Sequence, residues 1–247
     1  VAEKYHHSFT YEHALMGAVA IDETGNPLPD KTLGICKSSD AILFGAIGDP
    51  KYDNDPNAKV RPEQGLLALR KAFNLFCNVR PVTIYDSLID SSPLKRNRIE
   101  GVDLVIYREL TGGIYFGEKK EMNDKGVASD LCTYSKEEIL RVAHLAFKAA
   151  GKRKNKLTLV DKANVLASSR LWRSVVTDLH SSEYKDVELD FLFVDNAAMQ
   201  MVLNPAHFDV ILTGNLFGDI ISDEASVIGG SIGLLASASI GDRYAMF

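Results

Sequence analysis

The stretch FDVILTGNLFGDIISDEAS, residues 208–226, joins an apolar run to a segment with helical spacing. Asp219 and Asp223 lie four residues apart, so on a helix both carboxylates project from the same face. Like charges at that spacing repel by roughly 0.2–0.5 kcal/mol, and a cation between them would remove this cost. Oxygen ligands suit a hard divalent ion, so the pair is a candidate site for Mg²⁺ or Mn²⁺. An isolated pair is more often a solvated acidic face, so the interpretation depends on the rest of the chain.

The apolar runs elsewhere predict a layered α/β fold. They are nearly continuously apolar, as strands covered on both faces would be, and they alternate with helical patterns; they span 102–107, 157–160, 190–194 and 209–213. Polar residues follow each run: Arg108, Asp161 and Lys162, Asp195, and Gly214 and Asn215 leading to Asp219. Ligands of open α/β sheets bind beyond the carboxyl ends of the strands. These residues therefore predict a site for a polyanionic ligand with a metal.

Local patterns predict the remaining elements. The sequence favours strands over 6–14 and 41–47, a helix over 65–79 that stops before Pro81, and a projecting arm over 112–134 that is rich in glycine and aromatic residues. The strongest helix runs from Ser135, a candidate N-cap with Glu138 three residues later, to the stop at Gly151.

Composition excludes several functional classes. The 247 residues are 46% hydrophobic and 25% charged, which is typical of a globular protein. A formal net charge of -5 and a pI near 5.7 argue against nucleic acid as the main partner. No apolar run is long enough to span a membrane. Three widely spaced cysteines fit neither a disulfide framework nor a zinc site, so a reducing cytoplasm is expected.

Four longer motifs resemble one family closely. RELTGGIYFGE (108–118), VDKANVL (160–166), FVDNAAM (193–199) and TGNLFGDIISDEAS (213–226) are similar to motifs of the isocitrate/isopropylmalate dehydrogenase family, metal-dependent enzymes that oxidise and decarboxylate 2-hydroxy acids. The similarity runs over essentially the whole chain. Two segments of the family, the opening glycine-rich segment and a later loop that grips the adenosine of NAD, would lie before Val1 and after Phe247. We therefore expect residues beyond both ends of the chain.

The resemblance implies a two-domain fold. Residues 1–75 and 230–247 would form an incomplete cofactor-side domain, and 76–229 a second domain with the arm and the helices that form a homodimer. Active sites would be shared between the two subunits. Asp219 and Asp223 would hold the metal from one subunit, while Asp195, which also approaches the substrate, would come from the other.

The same resemblance assigns roles to other residues. Arg70, Arg80 and Arg108 would bind the two substrate carboxylates through guanidinium forks. Lys162 would act as the base for the substrate hydroxyl, and Tyr134 would protonate carbon after carbon dioxide leaves. NAD would be bound by Pro50, Lys51, Glu63 and Asn164, with the loop from Pro50 to Glu63 bordering it. Asp49 stands where the family usually has a second glycine.

The side chains near Arg70 indicate the substrate. Leu66 and Leu67 precede Arg70 by about one turn, and by resemblance Val165 adds a wall from the partner subunit. Such a pocket suits the isopropyl group of 3-isopropylmalate, worth on the order of 2 kcal/mol on burial, and would leave a carboxylate of isocitrate unpaired. We therefore expect NAD-dependent oxidation and decarboxylation of 3-isopropylmalate, a reaction of leucine biosynthesis.

Other interpretations stay open from the residues alone. Arg80 could cap a helix that ends at Val79, Tyr134 could be a surface aromatic, and Lys162 could be a solvated lysine. The six histidines show no metal-binding spacing. The alternative functions are a related dehydrogenase for isocitrate, homoisocitrate, tartrate or a methylthioalkylmalate, or a non-catalytic subunit of the same fold.

Overall fold

The computed structural model describes residues 2–54, 59–230 and 235–247. These residues form two compact units, one of residues 1–73 with Met246 and one of residues 74–245 with Phe247. The domain division expected from the sequence differs in that it joins 230–247 to the first unit, and it stays a prediction. Residues 231–234 of that segment lie outside the described part of the chain.

The first unit is built from helices. They are α1 (Ala2–Tyr5), α2 (Ala18–Thr24), α3 (Asp30–Ser38), α4 (Pro50–Asp53) and α5 (Pro62–Ala72). Helix α5 starts with proline at its first position, where the missing N–H costs nothing. The predicted strand over 6–14 is wrong, since these residues are exposed and have no regular structure. The predicted strand over 41–47 is reduced to a single bridge between Ile42 and Met246. A β-pattern needs a neighbouring strand, and these two segments lack a ladder.

The second unit contains the sheet. Its strands are β1 (Cys77–Thr83), β2 (Asp103–Glu109), β5 (Lys156–Asp161), β6 (Glu188–Phe193), β7 (Val210–Thr213), β8 (Ala238–Ile240) and β9 (Ala245–Met246, of which Met246 is counted with the first unit), in the order β6-β5-β7-β2-β1-β8-β9. Strands β6, β5, β7 and β2 are parallel, while β1 runs antiparallel to both β2 and β8. The carboxyl ends of β2, β5, β6 and β7 therefore meet at one edge of the sheet.

Helices cover both faces of this sheet. They are α6 (Arg96–Ile99), α7 (Lys136–Ala150), α8 (Ala167–Glu183), α9 (Val194–Leu203) and α10 (Asn215–Ile228), with short 3₁₀ helices at Asp86–Ser91, Gly113–Tyr115 and Pro205–His207. One core holds Leu157 and Leu212 with α7 and α8. The other holds Ile106 and Ile211 with α9 and α10. Alternate residues of each strand are thus buried on opposite faces, which explains the continuous apolar runs and confirms the α/β fold class.

The segment around Pro81 corrects the predicted helix over 65–79. Helix α5 ends at Ala72, and Arg80 and Pro81 lie in strand β1. Pro81 pairs with Val105. The N–H of Val105 points away from Pro81 and donates to the carbonyl of Asp209, the residue before β7. The pairing of β1 with β8 ends at Val79, so no strand partner requires the N–H that proline lacks.

The arm and the strongest helix form as predicted. Strands β3 (Lys119–Lys120) and β4 (Ser129–Asp130) make an exposed two-stranded hairpin. Where the arm returns, Ser135 caps α7: its hydroxyl accepts the Glu138 N–H at 3.2 Å, and Glu138 accepts the Ser135 N–H at 2.7 Å. This capping box fixes the direction of the chain directly after Tyr134.

Candidate active site

Helix α10 carries the two aspartates and begins two residues after strand β7 ends. Asp219 accepts hydrogen bonds from the Arg108 guanidinium and, at 2.7 Å, from the Tyr115 hydroxyl. Asp223 lies one turn further along and forms a 3.5 Å ion pair with Arg80. Each predicted carboxylate of this helix therefore faces a predicted substrate-binding arginine.

Arg108 is the buried centre of this group. Its side chain is 7% exposed and lies at the end of β2. Its Nε and Nη2 atoms both donate to Asn215 Oδ1, at 3.1 and 2.8 Å. A Cβ atom at Gly218 would lie 2.5 Å from Cγ of Arg108, so only glycine at this position of α10 leaves room for the arginine stem.

Tyr134 lies in a seat made largely of glycine. A Cβ atom at Gly113 would lie 2.4 Å from its hydroxyl oxygen, and one at Gly214 would lie 3.1 Å away. Gly113 also has φ of 74°, a conformation that favours glycine. The phenol oxygen accepts the backbone N–H of Asn215 at 2.8 Å, and the ring packs edge-on against Trp172 at 5.3 Å. Burial raises the pKa of Tyr134 well above its usual range, so the phenol stays protonated.

Lys162 and Asp195 form a second group. Lys162 follows β5, and its Nζ lies 2.5 Å from Oδ1 of Asp195. The sequence pattern placed Asp195 at the end of a strand. In the structure it lies in the first turn of α9. The hydrogen bond from Lys162 lowers the pKa of Asp195. The tight turn after Lys162 leaves Asn164 and Val165 exposed, and Val165 is 62% accessible.

The oxygen ligands available to a metal fall into these two groups. Asp219 and Asp223 offer carboxylates whose side chains are 41% and 77% exposed, which suits a hard ion open to substrate. Within the described residues of one chain, no three acidic, histidine or cysteine side chains gather closely enough to hold a metal. Asp195 therefore does not join the other two aspartates in a single copy of the chain.

The predicted cofactor and substrate residues of the first unit lie on α4 and α5. Pro50 and Lys51 open α4, and Lys51 pairs with Asp22 at 2.6 Å. Asp49 caps this helix by accepting the Lys51 N–H at 3.0 Å, which gives a local reason for aspartate there. On α5, Glu63 is exposed and Leu66, Leu67 and Arg70 are half-buried. Residues 55–58 of the predicted cofactor loop lie outside the described residues.

Sequence reasoning gave no role to three residues of the site, although Asn215 was among the polar residues that follow the strands. Asn215 binds both Arg108 and Tyr134, and Tyr115 binds Asp219. Glu109 is fully buried and accepts the N–H groups of Thr111 and Gly112, both at 2.8 Å, so it shapes the turn under Tyr134. Burial raises the pKa of Glu109. All three residues lie in the motifs 108–118 and 213–226, and for Glu109 and Tyr115 this position was the only sign in the sequence that they belong to the site.

Comparison with known proteins identifies the family. A family model described as isocitrate/isopropylmalate dehydrogenase matches residues 1–247. The chain belongs to this family. The sequence-based recognition of the isocitrate/isopropylmalate dehydrogenase family is therefore confirmed, as is the assignment of the chain to the oxidoreductases.

The relatives within the isocitrate/isopropylmalate dehydrogenase family include 3-isopropylmalate dehydrogenases. The chain is 54% identical over 247 residues to the one from Bacteroides fragilis, covering 100% of this chain and 69% of that protein. It is 53% identical over 250 residues to the one from Aquifex aeolicus, covering 100% of this chain and 68% of that protein. The chain thus spans about two thirds of the length of these relatives.

Solved structures show the same fold. An isocitrate dehydrogenase from Methylococcus capsulatus superimposes with a TM-score of 0.76 at 32% identity, covering 94% of this chain and 66% of that chain. The TT0538 protein from Thermus thermophilus gives a TM-score of 0.84 at 27% identity, covering 100% of this chain and 48% of that chain. No helix in the described parts of this chain is long and apolar enough to cross a membrane.

Proposed function

We propose that the protein to which this chain belongs oxidises and decarboxylates (2R,3S)-3-isopropylmalate to 4-methyl-2-oxopentanoate, with reduction of NAD, in leucine biosynthesis. The observation that carries the proposal is the group formed by Arg80 and Arg108 of the sheet with Asp219 and Asp223 of α10, beside Tyr134 at the start of α10. The relatives named 3-isopropylmalate dehydrogenase support the same reaction.

The arginines account for binding of a dicarboxylic acid. Planar guanidinium groups bind carboxylates through two parallel hydrogen bonds, which lysine cannot do. Arg80 and Arg108 already face carboxylates in this structure, those of Asp223 and Asp219. Arg70 on α5 is assigned to the same task by the family resemblance. Substrate carboxylates would therefore meet prearranged positive charge.

The divalent ion is part of the proposal. Asp219 and Asp223 would hold Mg²⁺ or Mn²⁺ from one copy of the chain, with Asp195 supplied by a second copy. When bound, such an ion acidifies the substrate hydroxyl and stabilises negative charge on its oxygen. The two exposed carboxylates on one helix face fit this role, because their mutual repulsion falls when a cation lies between them.

Lys162 and Tyr134 would move the two protons. In oxidation, the carbon bearing the hydroxyl would transfer a hydride to NAD⁺, and Lys162, as the uncharged amine, would receive the hydroxyl proton, directly or through water. Carbon dioxide then leaves, and the electron pair of the broken bond stays on the neighbouring carbon. Tyr134 donates its proton to that carbon. A phenol whose pKa is raised by burial arrives protonated, as an acid must.

Surfaces that one chain leaves open support the proposed homodimer. Helices α9 and α10 pack together and each exposes apolar side chains: Met199, Val202, Leu203, Ile220 and Val227. Groups of exposed apolar residues on neighbouring elements are typical of interaction surfaces. The separation of Asp195 and Lys162 from the α10 aspartates further supports a site assembled from two copies.

The choice of substrate is proposed from two leucines of α5, and the choice of cofactor from the family. Leu66 and Leu67, half-buried on α5, favour an isopropyl group over the carboxymethyl group of isocitrate. NAD is proposed from the family, with Pro50, Lys51, Glu63 and Asn164 near it. A cytoplasmic location is proposed from the three free cysteines.

The test is a substrate panel with the full-length protein and Mn²⁺. We expect kcat/KM for 3-isopropylmalate with NAD to exceed the values for isocitrate, tartrate and a methylthioalkylmalate, and to exceed the value with NADP. A preference for isocitrate would contradict the pocket argument. No reduction of either nucleotide with any acid would support a non-catalytic subunit.

A further inference from the structure

Asn215 occupies the junction between the substrate-binding and proton-donating groups. It is fully buried and is the first residue of α10. Its side-chain oxygen accepts from Arg108, its side-chain nitrogen donates to the Gly112 carbonyl at 3.2 Å, and its backbone N–H donates to Tyr134. Asn215 therefore contacts Gly112 at the start of the arm, Arg108 and Tyr134.

These contacts are not the usual use of asparagine at a helix start. Asparagine favours the N-cap position, where its side chain accepts a backbone N–H of the first turn. Here Gly214 is the N-cap, and no side chain caps the helix. The amide of Asn215 is instead oriented by the Gly112 carbonyl, which accepts from its NH₂ group and so directs its oxygen at Arg108.

The bonds to Asn215 set which donors of Arg108 face the ligand. A guanidinium has five N–H donors. Asn215 accepts one from Nε and one from Nη2, and Asp219 accepts one from Nη1. One N–H on each terminal nitrogen remains beyond these bonds. Two neighbouring donors of this kind match the two oxygens of a carboxylate.

The backbone bond sets the direction of the Tyr134 proton. Its phenol oxygen accepts from the Asn215 N–H at 2.8 Å, so the hydroxyl hydrogen must point elsewhere. The same N–H belongs to the positive end of a helix of 14 residues, which favours the phenolate left after the proton has been donated. The glycine seat around Tyr134 limits the positions that the phenol can take.

We propose that Asn215 is a positioning residue for the reaction: its side chain presents Arg108 to a substrate carboxylate, and its backbone aims the Tyr134 hydroxyl. This inference rests on the proposed function. The two parts separate experimentally, because a substitution of the side chain leaves the backbone N–H in place.

The decisive variant is Asn215→Ala, compared with Asn78→Ala in the full-length protein with 3-isopropylmalate, NAD and Mn²⁺. Asn78 is a matched control: it is 1% exposed, lies opposite Arg108 in the neighbouring strand, and donates to Ser237 at 3.0 Å and to the Ala238 carbonyl at 3.1 Å. Both variants lose buried hydrogen bonds, so both should melt earlier than the parent protein.

Only Asn215→Ala should change substrate binding. We expect its KM for 3-isopropylmalate to rise about tenfold or more, the effect of disturbing a hydrogen bond to a charged group. The KM for NAD and the kcat should change by less than about threefold, since the backbone bond to Tyr134 persists. Asn215→Asp, which keeps an oxygen for Arg108, should have a lower KM than Asn215→Ala.

The outcomes separate the two proposals. An active parent protein with an unchanged KM in Asn215→Ala would overturn the positioning role alone. The positioning role would also be overturned if Asn78→Ala raised the KM for 3-isopropylmalate as much as Asn215→Ala does, because the rise would then reflect a general loss of stability. A parent protein inactive on every hydroxydiacid would overturn the proposed function and this inference with it.

Discussion

Tyr115 donates its hydroxyl hydrogen to Oδ2 of Asp219 at 2.7 Å, while Arg108 donates to the other oxygen of the same carboxylate. Tyr115 comes from the turn at the base of the arm, and Asp219 from helix α10. A candidate metal ligand is thus fixed in direction by two residues from different elements. Outer partners of this kind orient the ligands of metal sites in proteins.

Substitution of Tyr115 should weaken metal binding. In Tyr115→Phe, the concentration of Mn²⁺ giving half-maximal activity should rise about tenfold or more, because Asp219 loses one of its two fixed partners. The measurement is activity against free Mn²⁺ concentration. Tyr184→Phe is the control, since this hydroxyl lies 2.9 Å from His144 outside the site. Equal shifts in both variants would contradict the role of Tyr115.

Gly218 tests whether space for Arg108 outweighs helix propensity. Alanine usually stabilises a helix interior by about 1 kcal/mol relative to glycine. At Gly218 the new Cβ would lie 2.5 Å from Arg108, and such overpacking costs typically 1–3 kcal/mol. We expect Gly218→Ala to lower the calorimetric melting temperature and raise KM for the hydroxydiacid. Gly34→Ala in α3 should not lower the melting temperature, because the new Cβ would have no atom of the described residues within 4 Å. A Gly218→Ala protein as stable and active as the parent would refute the packing argument.

The raised pKa of Tyr134 predicts the behaviour of the phenol in alkaline solution. An exposed tyrosine ionises near pH 10, whereas burial keeps Tyr134 neutral beyond that point. Because the folded state holds this proton more tightly than the unfolded state, its contribution to stability is complete below about pH 10 and is lost as pH rises further. Ultraviolet difference titrations of the parent protein and Tyr134→Phe should therefore coincide up to about pH 10. One fewer ionising tyrosine in the variant within that range would contradict the burial account.

We expect the exposed apolar side chains of α9 and α10 to hold the proposed dimer together. Ile220 and Val19 are both 55% exposed, but only Ile220 is one of those side chains. We expect Ile220→Glu to shift the protein towards monomers in sedimentation velocity, because an unpaired charge is costly in an apolar interface. Val19→Glu should sediment as the parent protein does. Unchanged sedimentation of Ile220→Glu would exclude these side chains as the interface.

Much of the second unit could be predicted from the sequence because its strands are apolar on both faces. That pattern predicted the sheet and the edge at which Arg108, Lys162 and Asp219 lie. The pattern failed around Pro81, where the spacing of apolar residues resembled a helix. Proline is tolerated in β1 because the pairing of β1 with β8 ends at Val79, before Pro81. Such long-range pairing cannot be read from the local sequence.

The site itself was only partly predictable. Charged residues after strands were visible in the sequence, and the family resemblance supplied their roles. The contribution of Asn215 was not visible, because it depends on bonds to residues 103 and 107 positions away in the chain. The pairing of Lys162 with Asp195, 33 positions apart, is likewise a product of the parallel strands β5 and β6.

Mixing two inactive variants tests most directly whether the active site is shared between subunits. Lys162→Ala and Tyr134→Phe should each lose turnover while remaining dimers. Unfolding the two together and refolding them should restore about a quarter of the parent activity, because half of the random dimers are mixed and each mixed dimer has one intact site. If each site were built within one chain, every site in the mixture would keep a lesion, and activity no greater than that of the separate variants would contradict the account.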